Sequence, residues 1–278
     1  MLERCDRLAI AVPDRHIAAE AFAKIFDAMP VDDGFDPGFN ANRLTLAWGQ
    51  DQLELLDPAG DGPVEQFLRE GKRGIFAGGF SSADPAAVAA QAEGEGLRVQ
   101  ASGPDRYVVT PDDGGGTGII LSARESRDRQ GLNDKIWQIT YVVDDLDDGV
   151  AKYSRIFGTG DLFTNRYTSD LYGYDGAITW FDARPGGLLD SLEFLEPTDP
   201  EKAVARFQRR GGPGIYMASV ETDALPQIRE RVSRDGPGWD GTDDVLGFIH
   251  PLRLHGLLLA VVDSESWQKR RELPNGSD

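Results

Sequence analysis

LELLDPAGDGPVEQFLREGKRGIF, residues 53–76, and LEFLEPTDPEKAVARFQRRGGPGIY, residues 192–216, are two versions of one passage. Each begins as an apolar strand with glutamate in second place, Glu54 or Glu193. It then passes an acidic, proline-containing turn, forms a short helix and leaves through glycine into another strand opening on Gly-Ile. The recurrence lies roughly 140 residues along, so the chain is two copies of one domain.

Working outward from the first copy, DRLAIAVPD (6–14) reads as a strand that opens on Asp6 and Arg7. RHIAAEAFAKIFDAM follows with Ile17, Phe22, Ile25 and Phe26 at helical spacing. ANRLTLAWG (41–49) and DQLELLDP (51–58) are strands joined by a glycine turn. After the helix PVEQFLREG come the strand GIFAGGFSS, a helix capped by Asp84 with Pro85 at its first position, and RYVVTPDDGGGTGIILSA, two strands around a turn. The glycine-rich turn lacks the lysine and following helix of a phosphate loop. The second copy repeats the series from IWQITYVVDD (136–145) to HGLLLAVVD (255–263). Within each copy the order strand, helix, strands occurs twice. The expectation is an α+β chain of four small units whose paired sheets curl around shared cavities. Expected boundaries are 1–124 for the first domain, 125–134 for a linker, 135–265 for the second domain and 266–278 for a tail.

The chain has 278 residues, enough for two cores. With 47 acidic and 29 basic side chains the net charge is −18, which repels phosphate backbones and anionic membranes. Neither nucleic acid nor membrane is an expected partner. No secretory signal is visible and no apolar run is long enough to span a bilayer, so a cytoplasmic protein is expected. The single cysteine, Cys5, excludes an internal disulfide and reads as a small buried hydrophobe.

The order, spacing and duplication of these elements resemble the vicinal oxygen chelate superfamily, which includes glyoxalase I, extradiol dioxygenases, methylmalonyl-CoA epimerase and bleomycin-resistance proteins. The two quoted passages and the closing FIHPLRLHGLLLAVV look most like the epimerase branch. The resemblance runs from about residue 4 to 263. It implies four βαβββ units in two tandem glyoxalase-like domains, each a curled mixed sheet around a cavity. It also implies, in metal-using members, strand-borne ligands that meet on the cavity floor. Those positions fall on Arg7, Glu54, Ala77 and Ser122 in the first half, and on Gln138, Glu193, Met217 and Ala260 in the second. Alanine, methionine and serine are not ligands for a hard divalent ion, and neither pair of remaining residues supplies three. The expectation is therefore that the metal of the relatives is lost, with no metal site and no cofactor.

Arg7 stands at a ligand position and is expected to face Glu54. Two readings stand side by side: a fixed positive charge in place of the ion, and an ion pair that only joins strands. In the second half Phe163, Tyr167, Tyr172, Tyr174, Trp180 and Phe181 cluster before LEFLEP, as wall residues of a small-molecule pocket do, or as plain core residues do. Gln138 and Glu193 would give that pocket a donor and a general base, or a satisfied buried pair. Met217 would join the floor and His250 the mouth, unless His250 is structural. The expected function is a metal-free isomerase, epimerase or lyase acting on a carbonyl compound or acyl thioester. The alternatives are a non-catalytic small-molecule binder and a divalent-metal dioxygenase or lyase. The chain is expected to act as a monomer or homodimer.

Overall fold

The computed structural model describes residues 1–159, 164–181, 190–241 and 244–266. In the first half β1 (Arg4–Ala11) leads through α1 (Arg15–Phe26) to β2 (Met29–Asp36), β3 (Ala41–Trp48) and β4 (Asp51–Pro58). After α2 (Pro63–Arg69) the series recurs as β5 (Gly74–Ser82), α3 (Pro85–Gly94), β6 (Gln100–Gly103), β7 (Arg106–Val109) and β8 (Gly118–Ala123). The second half runs β9 (Asn133–Val142), α4 (Leu146–Phe157), β10 (Thr164–Ser169), β11 (Tyr174–Trp180) and β12 (Ser191–Pro197). It continues with α5 (Ala203–Gly211), β13 (Gly214–Thr222), α6 (Leu225–Arg234), β14 (Trp239–Asp240), β15 (Leu246–Ile249) and β16 (Leu259–Asp263).

Each half forms one eight-stranded mixed sheet, ordered β2-β3-β4-β1-β5-β8-β7-β6 and β10-β11-β12-β9-β13-β16-β15-β14. The expected α+β architecture of four βαβββ units is the one observed. Two strands, β2 and β10, escape a search for apolar alternation. In β2 only the last residue is buried, and its acidic side chains discourage a further strand from pairing with this sheet edge.

Local chemistry is duplicated as well. Asp14 caps α1 by accepting from His16 N and Ile17 N, and Asp145 caps α4 by accepting from Asp148 N. Asp57, at the end of β4, accepts from Arg15 N at 3.1 Å, and its counterpart Glu196 accepts from Leu146 N at 2.8 Å. A carboxylate from the last strand of the first unit in each half thus ties down the preceding helix.

The two sheets share one core. Leu8, Ile10 and Phe80 of the first meet Ile139, Tyr141 and Ala218 of the second, with Phe22 and Phe26 of α1 and Tyr153 and Phe157 of α4. Gly78 permits this approach, since a Cβ there would stand 3.0 Å from Ile139 Cδ1 and Tyr141 Oη. Gly74 and Gly256 meet more tightly. Both have positive φ, and a Cβ on Gly74 would lie 2.4 Å from the Gly256 carbonyl oxygen. Phe181 also belongs to this core, 6.0 Å from Phe80, so it is not a pocket wall. Arg4 ties the halves together, pairing with Asp51 at 3.2 Å and Asp190 at 3.3 Å. Burial raises the carboxyls of these partners to about 8 and about 6 respectively.

With the convex faces spent on the core, the concave faces are left for function. α2 packs Val64 and Phe67 against one of them, and α5 packs Val204 and Phe207 against the other. Among the described residues no helix is long and apolar enough to cross a membrane.

Candidate functional site

Strand register fixes which residues correspond. Arg7 lies opposite Gln52 and Ala9 opposite Glu54, while Gln138 lies opposite Ser191 and Thr140 opposite Glu193. Arg7 is therefore equivalent to Gln138, and Glu54 to Glu193. Ala77 and Met217 likewise correspond, opposite Ala9 and Thr140. Ser122 and Ala260 do not. Ala260 pairs with Ser219, whose counterpart Gly79 pairs with Ile120.

In the first half Arg7 and Glu54 meet at 3.0 Å, as their positions imply. Gly79 makes room, because a Cβ there would lie 2.5 Å from Arg7 Cβ. Sequence reasoning missed the rest of the cluster. Arg106 of β7 reaches across the curl to Glu54 at 2.9 Å and to Asp36 of β2 at 2.8 Å. Ser102 of β6 donates to Asp36 at 2.7 Å, so the two edges of the sheet are joined through one carboxylate. Burial alone would push the Glu54 carboxyl up, but the charges of Arg106, Arg7 and Arg43 outweigh it and hold it below the usual value.

The remaining space is filled. Phe39, in the loop between β2 and β3, is fully buried and packs edge-on against Phe76 at 5.0 Å, and Phe67 also packs edge-on with Phe76 at 5.4 Å. A cavity of about 350 Å³ in this half is lined by Val31, Ala47, Gln52 and residues between β8 and β9 including Arg127 and Gln130, not by Arg7 or Glu54.

The second half keeps the glutamate and replaces the residues around it. By register, Gln138 stands for Arg7, Gly176 for Arg43, Leu246 for Arg106 and Ser169 for Asp36. Without guanidinium partners, Glu193 accepts from Thr140 Oγ1 at 2.7 Å and from the Tyr167 hydroxyl. Gly176 is the local reason Tyr167 reaches it, for a Cβ there would stand 2.4 Å from the tyrosine ring. Burial pushes the Glu193 carboxyl up, and the two hydrogen bonds only partly offset this. Burial and the neighbouring carboxylate raise the Tyr167 hydroxyl, so it stays protonated and serves as donor. Gln138 is buried beside this group and donates to Ser191 Oγ at 3.2 Å.

The loop equivalent to the Phe39 plug turns outward. Tyr172 occupies the place of Phe39 but is 52% exposed, and Leu171 beside it is 72% exposed. Tyr172 stacks on Tyr174 at 6.4 Å, and Tyr174 packs with Tyr216 and Phe207 around Val142 and Leu195. Register places Ile178 and Trp180 of β11, opposite Glu193 and Ser191, on the same face as Met217 and Phe248. All four are half-buried, unlike the sealed interior of the first half. Of the residues expected at this site, Gln138, Glu193, Tyr174, Trp180 and Met217 share the face, and Tyr172 sits at its end. His250 is exposed, and its Nδ1 accepts from Leu252 N at 3.2 Å, capping a short 3-10 turn over Pro251–Arg253. Phe163 lies outside the described residues.

Tyr167 and Thr140 are the contributors whose roles the sequence did not suggest. The signal that exposes them is the two-residue alternation carried from Glu193 across neighbouring strands.

The fold invites a test for a divalent ion. On the second floor the ligand positions hold Gln138, Glu193, Met217 and Ala260, which supply two oxygen-bearing side chains, and the glutamate already accepts two hydrogen bonds. On the first floor two guanidiniums occupy Glu54. Among the described residues no group of three or more His, Cys, Asp or Glu is arranged to hold a metal. This donor set does not fit a divalent ion held by strand-borne ligands on either floor.

Comparison with solved structures agrees with the architecture. A triple mutant of 4-hydroxymandelate synthase from Streptomyces coelicolor superposes with a TM-score of 0.72 at 14% identity, covering 98% of this chain and 100% of that one. The chain shares the fold of that synthase. A xylose isomerase-like TIM barrel/4-hydroxyphenylpyruvate dioxygenase fusion protein matches with a TM-score of 0.62 at 12% identity, over 95% of this chain and 49% of the fusion. Streptomyces coelicolor methylmalonyl-CoA epimerase matches one half, covering 48% of this chain and 98% of its own, with a TM-score of 0.40 at 23% identity. No family model and no curated relative matches the chain.

Proposed function

We propose that the concave face of the second half binds an organic small molecule, a carbonyl compound or acyl thioester, and that Glu193 removes a proton next to its carbonyl. The protein would then be a metal-independent isomerase, epimerase or lyase. The observation that carries this reading is the fate of the duplicated glutamate. Glu54 is neutralised by arginines under a phenylalanine plug, whereas Glu193 keeps a raised carboxyl pKa on an open, aromatic-walled face.

A half-buried carboxylate with a raised pKa is a stronger base than a solvated one, and Thr140 and Tyr167 fix its direction. As the proton moves from carbon to Glu193, the electron pair shifts onto the carbonyl oxygen. Gln138 lies diagonally across the floor and supplies an N–H for that oxygen. Tyr174, Trp180 and Ile178 exclude water from the reacting carbon. In the first half, on this account, Arg7 and Glu54 serve stability.

Structural likeness to a synthase and a dioxygenase fusion speaks equally for metal-dependent oxygen chemistry, and it is the donor set that favours the metal-independent reading. The two donors already on Glu193 suit a second reading, a binding protein without turnover. Methionine-methyl NMR tests the location of the site. The chain has three methionines, of which Met217 lies on the proposed floor and Met29 on the exposed edge strand β2. Titration with acyl thioesters and aromatic ketones is expected to move the Met217 methyl resonance and leave Met29 in place. A panel that binds without moving Met217 would put the site elsewhere.

A further inference from the structure

The two copies of the helix that closes one end of each concave face differ in charge character. In α2 the charges are mixed and satisfied, Glu65 with Arg69 at 2.9 Å, while Glu70 beyond it pairs with Lys72 at 3.0 Å. In α5 and the residue before it, Lys202, Arg206, Arg209 and Arg210 are all cationic. Among the described residues none of the four has a carboxylate within ion-pair distance. This cluster stands in a chain of net charge −18.

The helix dipole accounts for Arg210 at the C-terminal end, while the Arg209 guanidinium folds back and donates to the Pro200 carbonyl oxygen ahead of the helix. The dipole disfavours the other two, because Lys202 is the N-cap and Arg206 lies one turn on, where positive charge opposes the dipole. Their counterparts in the plugged half, Gly62 and Gln66, carry no charge. The Arg206 guanidinium donates to the Glu201 carbonyl oxygen, which satisfies an N–H but neutralises no charge. Cations that oppose the dipole at the open face and are absent at the closed one leave room for a partner of opposite sign.

Their placement gives that partner a location. The Lys202 stem lies against Gly173, beside Tyr172 and Tyr174, so closely that a Cβ on Gly173 would stand 2.7 Å from Lys202 Cγ. The charge of Arg206 acts on the hydroxyl of Tyr216, and Val204 and Phe207 of the same helix pack on Tyr174 and Tyr216. Residues 202 and 206 are one turn apart and share a helix side. They bracket the end of the aromatic wall farthest along β9 from Gln138.

We infer that the molecule bound on this face is an anion, and that Lys202 and Arg206 hold its carboxylate or phosphate at the α5 end. The inference rests on the proposed use of the second concave face and narrows its substrate class to charged carbonyl compounds or thioesters. A guanidinium and an ammonium side by side suit an oxyanion, which accepts charge-assisted hydrogen bonds from both.

Two matched pairs of probes, measured by titration calorimetry, test it. One pair is 3-benzoylpropionate and its methyl ester, the other propionyl-coenzyme A and propionyl-N-acetylcysteamine. In at least one pair the charged member is expected to bind about tenfold more tightly, equivalent to about 1.4 kcal/mol. The pair that responds distinguishes a carboxylate from a phosphate. K202Q/R206Q should erase the difference and leave the neutral member's affinity unchanged. Removing cations from a helix N-terminus does not threaten folding, and far-ultraviolet circular dichroism verifies this. Equal binding within both pairs, or a preference that survives the double substitution, overturns the inference while leaving the proposed site intact. Failure of all four probes to bind overturns the proposed site, and the inference with it.

Discussion

Replacing Glu193 by glutamine is expected to lower turnover by about 10²- to 10⁴-fold while leaving the dissociation constant of the ligand within a small factor. Glutamine keeps the size of the side chain and still accepts the Thr140 hydroxyl through its amide oxygen. The variant loses the ability to take a proton, and its amide cannot accept a second hydrogen bond from Tyr167 at the position of the lost oxygen. Solvent-deuterium incorporation at the carbon next to the ligand carbonyl is the readout closest to the proposed step. Exchange that persists in E193Q assigns the base to another group. Binding by the wild type with no exchange at all supports the second reading, a carrier or sequestering protein.

Replacing Arg106 by methionine is expected to cost about 3–5 kcal/mol of stability, the usual result of removing one partner from a buried ionic cluster. An apolar residue suits the strand, since Leu246 occupies the equivalent place in the second half. The loss comes from what remains: Glu54 and Asp36, both almost wholly buried, would lose the cation that joins them. The pH dependence has a definite sign. The Glu54 carboxyl is depressed in the folded protein, so its stabilising contribution is present above the ordinary glutamate pKa and is lost as pH falls through the depressed value. The wild type should therefore lose stability on acidification in this window more steeply than R106M, as read by urea denaturation at several pH values. A loss below 1 kcal/mol with unchanged pH dependence would mean that the cluster does not hold the first sheet closed.

Much of the fold was legible because the duplication is written in apolar periodicity and turn chemistry. The two LE(L/F)L passages announce the repeat, and Gly, Pro and Asp mark nearly every boundary. Strands β2 and β10 were hidden, because an edge strand with both faces largely in solvent shows no apolar alternation. The floor of the site was legible at Arg7, Glu54, Gln138 and Glu193, since each lies on a long strand whose face can be counted. Arg106, Asp36 and Phe39 were not, because their contacts close a curled sheet between strands far apart in the chain. The difference between the halves turns on small features: Gly176 lets Tyr167 reach Glu193, and the loop after Ser169, equal in length to the one after Asp36, carries Tyr172 outside where Phe39 turns in. Neither leaves a periodic trace in the sequence.

The central claim is that one duplicated glutamate became structural and the other remained available for chemistry. It is tested most directly by titrating the side-chain carboxyl carbons of glutamate by NMR, with E54Q and E193Q assigning the two resonances. The account predicts that Glu193 titrates above the ordinary glutamate value of about 4.3 and Glu54 below it. A Glu193 carboxyl at or below that value, or the same midpoint for both, would contradict it.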